Sequence, residues 1–208
     1  MIRTFGLLLV STAAFAQPTI LFGGRNLDAW VYNPSVWSIH GDAIRGTGQA
    51  GQMFTRADYG SFRLMVTSRV VLPEFNTASA HLGILFWGDR PAPGTWGPAG
   101  ALQIQPPHGA MWNYQTNQAV TPIRVIPRQE IPFQYHDWHT AEIVANLKTA
   151  TVRMAIDRVE IVRYTDPKPA AWRAGPIGLQ LHLGTAVMEY KDIQVEADPK
   201  EDRLITLK

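Results

Sequence analysis

Gly175-Pro176-Ile177-Gly178-Leu179-Gln180-Leu181-His182 is the stretch on which the fold turns. From Ile177 to His182 the side chains alternate with period two, the period of a strand with one face on a core. Ile177, Leu179 and Leu181 form the apolar set. Gly178, Gln180 and His182 share the opposite face. An amide, an imidazole and a glycine are an unusual solvated face, which ordinarily carries Lys, Glu, Arg and Thr.

The same period recurs outward from this segment. In Leu102 to Gln105, Leu102 and Ile104 point to the core, leaving Gln103 and Gln105 together. In Ala80 to Trp87, Leu82, Ile84 and Phe86 are the core set, and His81, Gly83, Leu85 and Trp87 share the other face. Phe62 to Val71 alternates Phe62, Leu64, Val66 and Val70 against Arg63, Met65, Thr67 and Arg69. Val36–His40 and Ala43–Arg45 around Gly41-Asp42 read as a hairpin, as do Thr151–Ile156 and Val159–Tyr164 around Asp157-Arg158. Trp138 to Asn146 and Ala186 to Val195 complete the late strands. No window carries a helical apolar stripe between caps. The expectation is an all-β, antiparallel sandwich of two sheets.

Composition agrees. The chain has 208 residues, 46% hydrophobic and 17% charged, a globular balance that excludes wholesale disorder. Gly 17 and Pro 15 suit short strands and many turns. The net charge of +2 falls to +1 without Arg3, too little for a phosphate-tracking surface, so nucleic acid is not an expected partner. Cysteine is absent, which excludes disulfides, thiolate chemistry and a lipoprotein anchor.

Residues 1–16 read as an export signal: Arg3, the apolar run Phe5–Val10, and Ala14-Phe15-Ala16 as an A-x-A cleavage pattern. The mature chain would begin at Gln17, in the periplasm or outside the cell. No later stretch is long and apolar enough to span a membrane as a helix. One domain is expected over residues 17–197, followed by a charged tail, 198–208, frayed at its end. Gly88 to Gly100 (GDRPAPGTWGPAG) and Gln105 to Gln118 are the long loops, of a length that suits a functional rim.

The polar faces point to sugar. Amides pair with hydroxyls in both directions, and aromatic rings stack on a pyranose. Gln180, Gln103, Gln105, His182, His81 and Trp87 are the residues this reading selects, with His108 and Asp89 in adjoining loops. The paired carboxylates of ordinary glycosidases are not visible as a strand motif; Asp89, Glu142 and Glu189 come nearest, the last two equally readable as outward-facing strand charges. His136 and His139 stand at a strand entrance and not on a helix, a structural or surface position. GTGQAG at residues 46–51 follows a strand with no helix after it, so a phosphate loop is not expected.

The order of segments resembles the 3-keto-disaccharide hydrolase domain family from about Thr19 to Ala197. Ile20-Leu21-Phe22-Gly23-Gly24-Arg25-Asn26-Leu27-Asp28-Ala29-Trp30 looks like its opening L-F-N-G-K-D-L-x-x-W. Trp37 to Gly46 looks like its W-x-V-x-D-G-x-L-x-G, and Phe54-Thr55 through Phe62 like its T-x-x-x-Y-x-x-F block. His81 to Phe86 stands at its N-S-G-I-F-F, and Leu102 to Gln105 at its Y-E-V-Q. Trp138-His139-Thr140 resembles its W-N-x segment. Gly175 to His182 followed by Glu189-Tyr190-Lys191-Asp192-Ile193 resembles G-P-I-G-L-Q-x-H…E-F-R-N-I, the most specific part.

The resemblance implies a concanavalin/laminin-G-like jelly roll. It also implies an exported enzyme that cleaves glycosides oxidised to a ketone at C3. A ketone acidifies the neighbouring C2 hydrogen, so a modest base can remove it and expel the C1 substituent. In that scheme His182 transfers the proton, Gln180 and Gln105 hold hydroxyls or the enolate oxygen, Trp87 stacks, and His81 is a second polar contact. Gln103, His108 and Asp89 would also meet the substrate. The family glutamate of Y-E-V-Q is Gln103 here, and the arginine that often follows N-S-G-I-F-F is Trp87. No cofactor is expected, with a divalent metal left open. The alternative is a non-catalytic, lectin-like carbohydrate-binding module on the same fold.

Overall fold

The computed structural model describes residues 17–72, 81–182 and 185–207, so the leader reading at 1–16 lies outside the described residues. Among the described residues sixteen strands follow one another. The first six are β1 (Thr19–Phe22), β2 (Trp30–Val31), β3 (Trp37–His40), β4 (Ala43–Gly46), β5 (Gly51–Tyr59) and β6 (Phe62–Leu72). Then come β7 (Leu82–Phe86), β8 (Leu102–Gln105), β9 (Ala110–Asn113), β10 (Gln118–Val120) and β11 (Ile123–Arg124). The last are β12 (His139–Asn146), β13 (Thr151–Ile156), β14 (Val159–Thr165), β15 (Gly175–Leu181) and β16 (Val187–Ala197).

They make two antiparallel sheets. The larger runs β11-β14-β13-β12-β6-β16-β4-β3, with β1 also on β16; the smaller runs β10-β9-β8-β7-β15-β5-β2. This is the expected jelly-roll sandwich. Both anticipated hairpins form, β3 with β4 and β13 with β14. The apolar sets of the alternating segments meet between the sheets. Ile84, Leu102, Ile104, Ile177, Leu179 and Leu181 from one sheet, and Phe62, Leu64 and Val66 from the other, are all fully buried in a single core. Each such side chain contributes on the order of 1.5–3 kcal/mol by leaving water.

Three expectations change. Trp87 does not continue the outward face of β7. Its φ of +61° turns the chain, and the indole enters the core, edge-on to Phe86, donating from Nε1 to the Gly60 carbonyl at 2.7 Å. Period-two alternation holds only while the backbone stays extended.

Glu142 and Glu189 face away from the core but are not solvated strand charges, being 1% and 2% exposed. Glu189 receives Arg45 at 2.6 Å and Arg69 at 2.8 Å. Burial pushes the Glu189 carboxyl up, and those two guanidiniums outweigh it, leaving it below its ordinary value.

The charged tail is not frayed over residues 201–206. Arg63 donates to the Glu201 and Arg203 carbonyls, and Glu142 accepts the Ile205 and Thr206 amides at 2.8 and 2.9 Å. Leu204 is buried against Val144 and Ala155. A carboxylate that takes two amides and a guanidinium has its lone pairs satisfied, which offsets the cost of burying it.

Candidate functional site

The polar face of the smaller sheet is built by register. Gln180 pairs with Gly83 of β7 on one side and with Gln52 of β5 on the other. Gln103 pairs with Leu85 and Trp112, and Gln105 with Ala110. Directly paired residues share a face, so these side chains crowd one patch over Gly83. A Cβ at Gly83 would lie 2.5 Å from Gln180 Oε1 and 2.7 Å from Gln103 Nε2. Only glycine leaves the amides room to meet.

The amides form a ladder. Gln103 Nε2 donates to Gln180 Oε1, and Gln105 Nε2 donates to Gln103 Oε1 at 2.8 Å. Gln105 Nε2 also lies 2.9 Å from His81 Nε2. An amide nitrogen can only donate, so in this arrangement the His81 nitrogen is the acceptor. At the far end Gln180 Nε2 points to the Tyr114 hydroxyl at 3.4 Å. His182, just past the end of β15, is exposed and stacks its ring on His81 with centroids 4.2 Å apart and planes 32° apart.

Two adjoining lobes open over this patch. One, about 270 Å³, is lined by His81, Gln103, Gln105, Trp112, Tyr114, Asn117 and His182. The other, about 500 Å³, shares His81 and Gln105 and adds His108, Arg124, Arg128 and Tyr135. Among the described residues neither lobe is lined by a carboxylate. His108 stacks on Tyr135, centroids 4.6 Å apart and 16° from parallel. Burial, then Arg128 and Arg124, hold the His108 imidazole below its ordinary pKa. Burial pushes the Tyr135 hydroxyl up to about 12. The indole Nε1 of Trp112 and Nδ1 of His108 are buried and lack a hydrogen-bond partner.

The structure therefore brings together His81, Gln103, Gln105, Gln180 and His182, and sets His108 in the adjoining lobe. Gln180 lies beneath the others, 3% exposed, with both ends of its amide engaged. Trp87 and Asp89 stand apart from this group. Asp89 pairs with Arg173, and both it and Trp87 border a different cavity with Gly100, Gln115 and Ala171. The loop from Gly88 to Gly100 is likewise tied elsewhere, through Arg90 to the Thr55 and Arg56 carbonyls.

His139 is structural, its Nδ1 2.7 Å from Asp157 and its Nε2 2.7 Å from the Gln134 carbonyl. Among the described residues no cluster of three or more His, Cys, Asp or Glu could hold a metal ion. Sequence reasoning missed Trp112, Tyr114 and Asn117 because Gln105–Gln118 reads as a loop, whereas β9 runs through it, paired to β8 and β10. It missed Arg124, Arg128 and Tyr135 because they lie outside any alternating segment.

Solved structures share the architecture. A candidate glycosyl hydrolase from Parabacteroides distasonis ATCC 8503 superposes with a TM-score of 0.60 at 13% identity, covering 86% of this chain and 93% of its own. The carbohydrate binding module CBM66 from Bacillus subtilis gives 0.57 at 12%, covering 81% and 96%. The Emp47p carbohydrate recognition domain gives 0.53 at 15%, covering 86% and 94%. At these identities the likeness is one of fold. No curated protein matches the chain by sequence. The 3-keto-alpha-glucoside-1,2-lyase-like domain does match it, over residues 17–196. That span contains both sheets and every residue of the amide ladder, and the chain belongs to this domain family.

Proposed function

We propose that the protein cleaves 3-keto-glycosides by proton transfer at the carbon next to the ketone. The observation that carries this reading is the His81–His182 imidazole pair standing at the open end of the amide ladder. The family assignment and the carbohydrate-related folds support sugar as the ligand.

The chemistry needs little. An imidazole takes the C2 hydrogen as a proton, the C–H electrons form the C1–C2 double bond, and the C1–O bond breaks. The leaving oxygen takes a proton and departs as the alcohol. Water then adds across the enone, its hydroxyl to C1 and a proton to C2, which gives the free 3-keto sugar. No carboxylate nucleophile takes part, which suits lobes lined by amides, rings and guanidiniums.

His182 is exposed and able to exchange protons with water. His81, its Nε2 facing the ladder, orients it by ring contact. Gln105 Oε1, its amide hydrogens committed elsewhere, receives a sugar hydroxyl. The unpartnered Trp112 indole N–H is the spare donor for the enolate oxygen. Gln180 acts through Gln103 as a positioning residue.

One observation favours a second reading, a carbohydrate-binding module without turnover. The family's glutamate position is Gln103, and its amide is spent inside the ladder. Product formation from a 3-keto-glucoside by residues 17–208, with and without chelator, separates the two. The enzyme reading expects cleavage that falls at least 10²-fold in His182→Ala with the thermal unfolding midpoint unchanged. Saturable glycoside binding with no cleavage would establish the module instead.

A further inference from the structure

Arginines on the outer face of the larger sheet are matched by acids: Arg45 and Arg69 by Glu189, Arg63 by Glu142, Arg153 and Arg163 by Glu160. The arginines of the larger lobe are not. Among the described residues no carboxylate forms an ion pair with Arg124 or Arg128. Arg124 spends one donor on the His108 carbonyl, from Nη1, and keeps Nε and Nη2. Arg128 stands in the short 3-10 turn Arg128–Glu130, across the same lobe.

Burial and the neighbouring Arg128 both hold the Arg124 guanidinium below its ordinary pKa, so the two cations stand unrelieved. Tyr135, neutral at pH 7, and His108 complete a wall of donors. A partly desolvated guanidinium such as Arg124 is costly without a counter-charge, and a planar or tetrahedral oxyanion is what the fork geometry of the two fits.

We infer that this lobe is a subsite for an anionic substituent, and that the glycoside bound is an acidic one. A carboxylate, sulfate or phosphate ester shares the required chemistry. The two lobes share His81 and Gln105, so a ring over the amides places its charged group, or an adjoining charged residue, on the arginines. This rests on the amide lobe being the sugar site.

The test is calorimetric binding of methyl glucuronide and methyl glucoside, of matched anomer, to residues 17–208. The inference expects glucuronide to bind at least tenfold more tightly at low salt, with the advantage shrinking as ionic strength rises. It expects Arg128→Gln to cut that preference at least tenfold; Arg128 is exposed on a turn, so the fold survives. A 6-sulfated or 6-phosphorylated glucoside that outbinds glucuronide would identify the ester as the anion and still uphold the subsite. Equal binding of the neutral and acidic glycosides, or a preference untouched by Arg128→Gln, would overturn it. Inorganic sulfate binding as tightly as the glucuronide would also overturn it, leaving a plain anion pocket. If neither glycoside binds the folded protein, the sugar reading of the amide lobe fails first.

Discussion

The outer face of the larger sheet and the cleft face of the smaller one solve the same problem in opposite ways. Both bury polar side chains on a sheet. On the outer face every buried acid is closed off by guanidiniums and tail amides: Glu142 by Arg63, Ile205 and Thr206, Glu189 by Arg45 and Arg69. The acceptors of these two acids are spent inside the fold. On the cleft face the buried groups are neutral amides that satisfy one another, while Arg124, Arg128 and the Trp112 indole keep unspent donors. A closed network holds a fold together; surplus donors around a cavity recognise something. Buried polarity therefore marks a site only when its bookkeeping does not balance.

That contrast can be broken from either side. The largest effect is expected at Glu142→Ala. It takes one of two acids from Arg63, 6% exposed, leaving Glu196, and frees the tail amides. Removing one partner of a buried pair costs roughly 3–5 kcal/mol. Urea unfolding should show this loss, while glycoside affinity of the folded variant stays within twofold of the parent. A weakened affinity would mean that the two faces are coupled and the comparison is wrong.

Gly83→Ala is the counterpart on the cleft face. The added methyl meets Gln180 Oε1 and Gln103 Nε2 inside normal contact, so the ladder must open. Overpacking of this kind costs about 1–3 kcal/mol. Here glycoside binding should fall with stability. Stability lost with binding retained would show that the ladder is scaffolding only.

The smallest effect sharpens the outer face. Hydrogen bonds from Arg163, then Arg153, outweigh burial and hold Glu160 at about 2, against an ordinary 4.5. Its folded pKa is depressed, so its stabilisation is complete above 4.5 and drains away as pH falls from 4.5 toward 2. Glu160→Gln should flatten that part of the acid-unfolding curve and leave the neutral-pH cleft unaltered. An unchanged acid limb would place the titration elsewhere.

How much of this was legible follows from how local each signal is. The strands with strict alternation, Phe62–Val71 and Ile177–His182, were readable because facing depends only on the parity of the position. The same parity placed Gln103, Gln105, Gln180, His81 and His182 on one side. It failed at Trp87, where one residue at φ +61° exchanges the faces. Parity also says nothing about what covers a face from outside. Glu142 and Glu189 read as solvated charges because their partners come from other strands and, for Glu142, from a tail more than sixty residues downstream. Arg124 and Arg128 lie between β10 and β12, and only the closed sandwich carries them to His81 and Gln105.

The amide ladder has a direction, because each carboxamide gives at one end and takes at the other. As it stands, Gln180 gives to Tyr114 and Gln105 gives to His81 Nε2. Protonating that nitrogen turns His81 into a giver, and Gln105 must then rotate to offer oxygen. Gln103 must follow, then Gln180, until the Tyr114 hydroxyl is the one that gives. A single proton at His81 thus reverses every bond across β8, β15 and the edge of β9. The wall of the cleft exchanges its pattern of donors and acceptors without moving a backbone atom. Whatever hydroxyl pattern fits the cleft with His81 neutral meets the opposite pattern once it is charged.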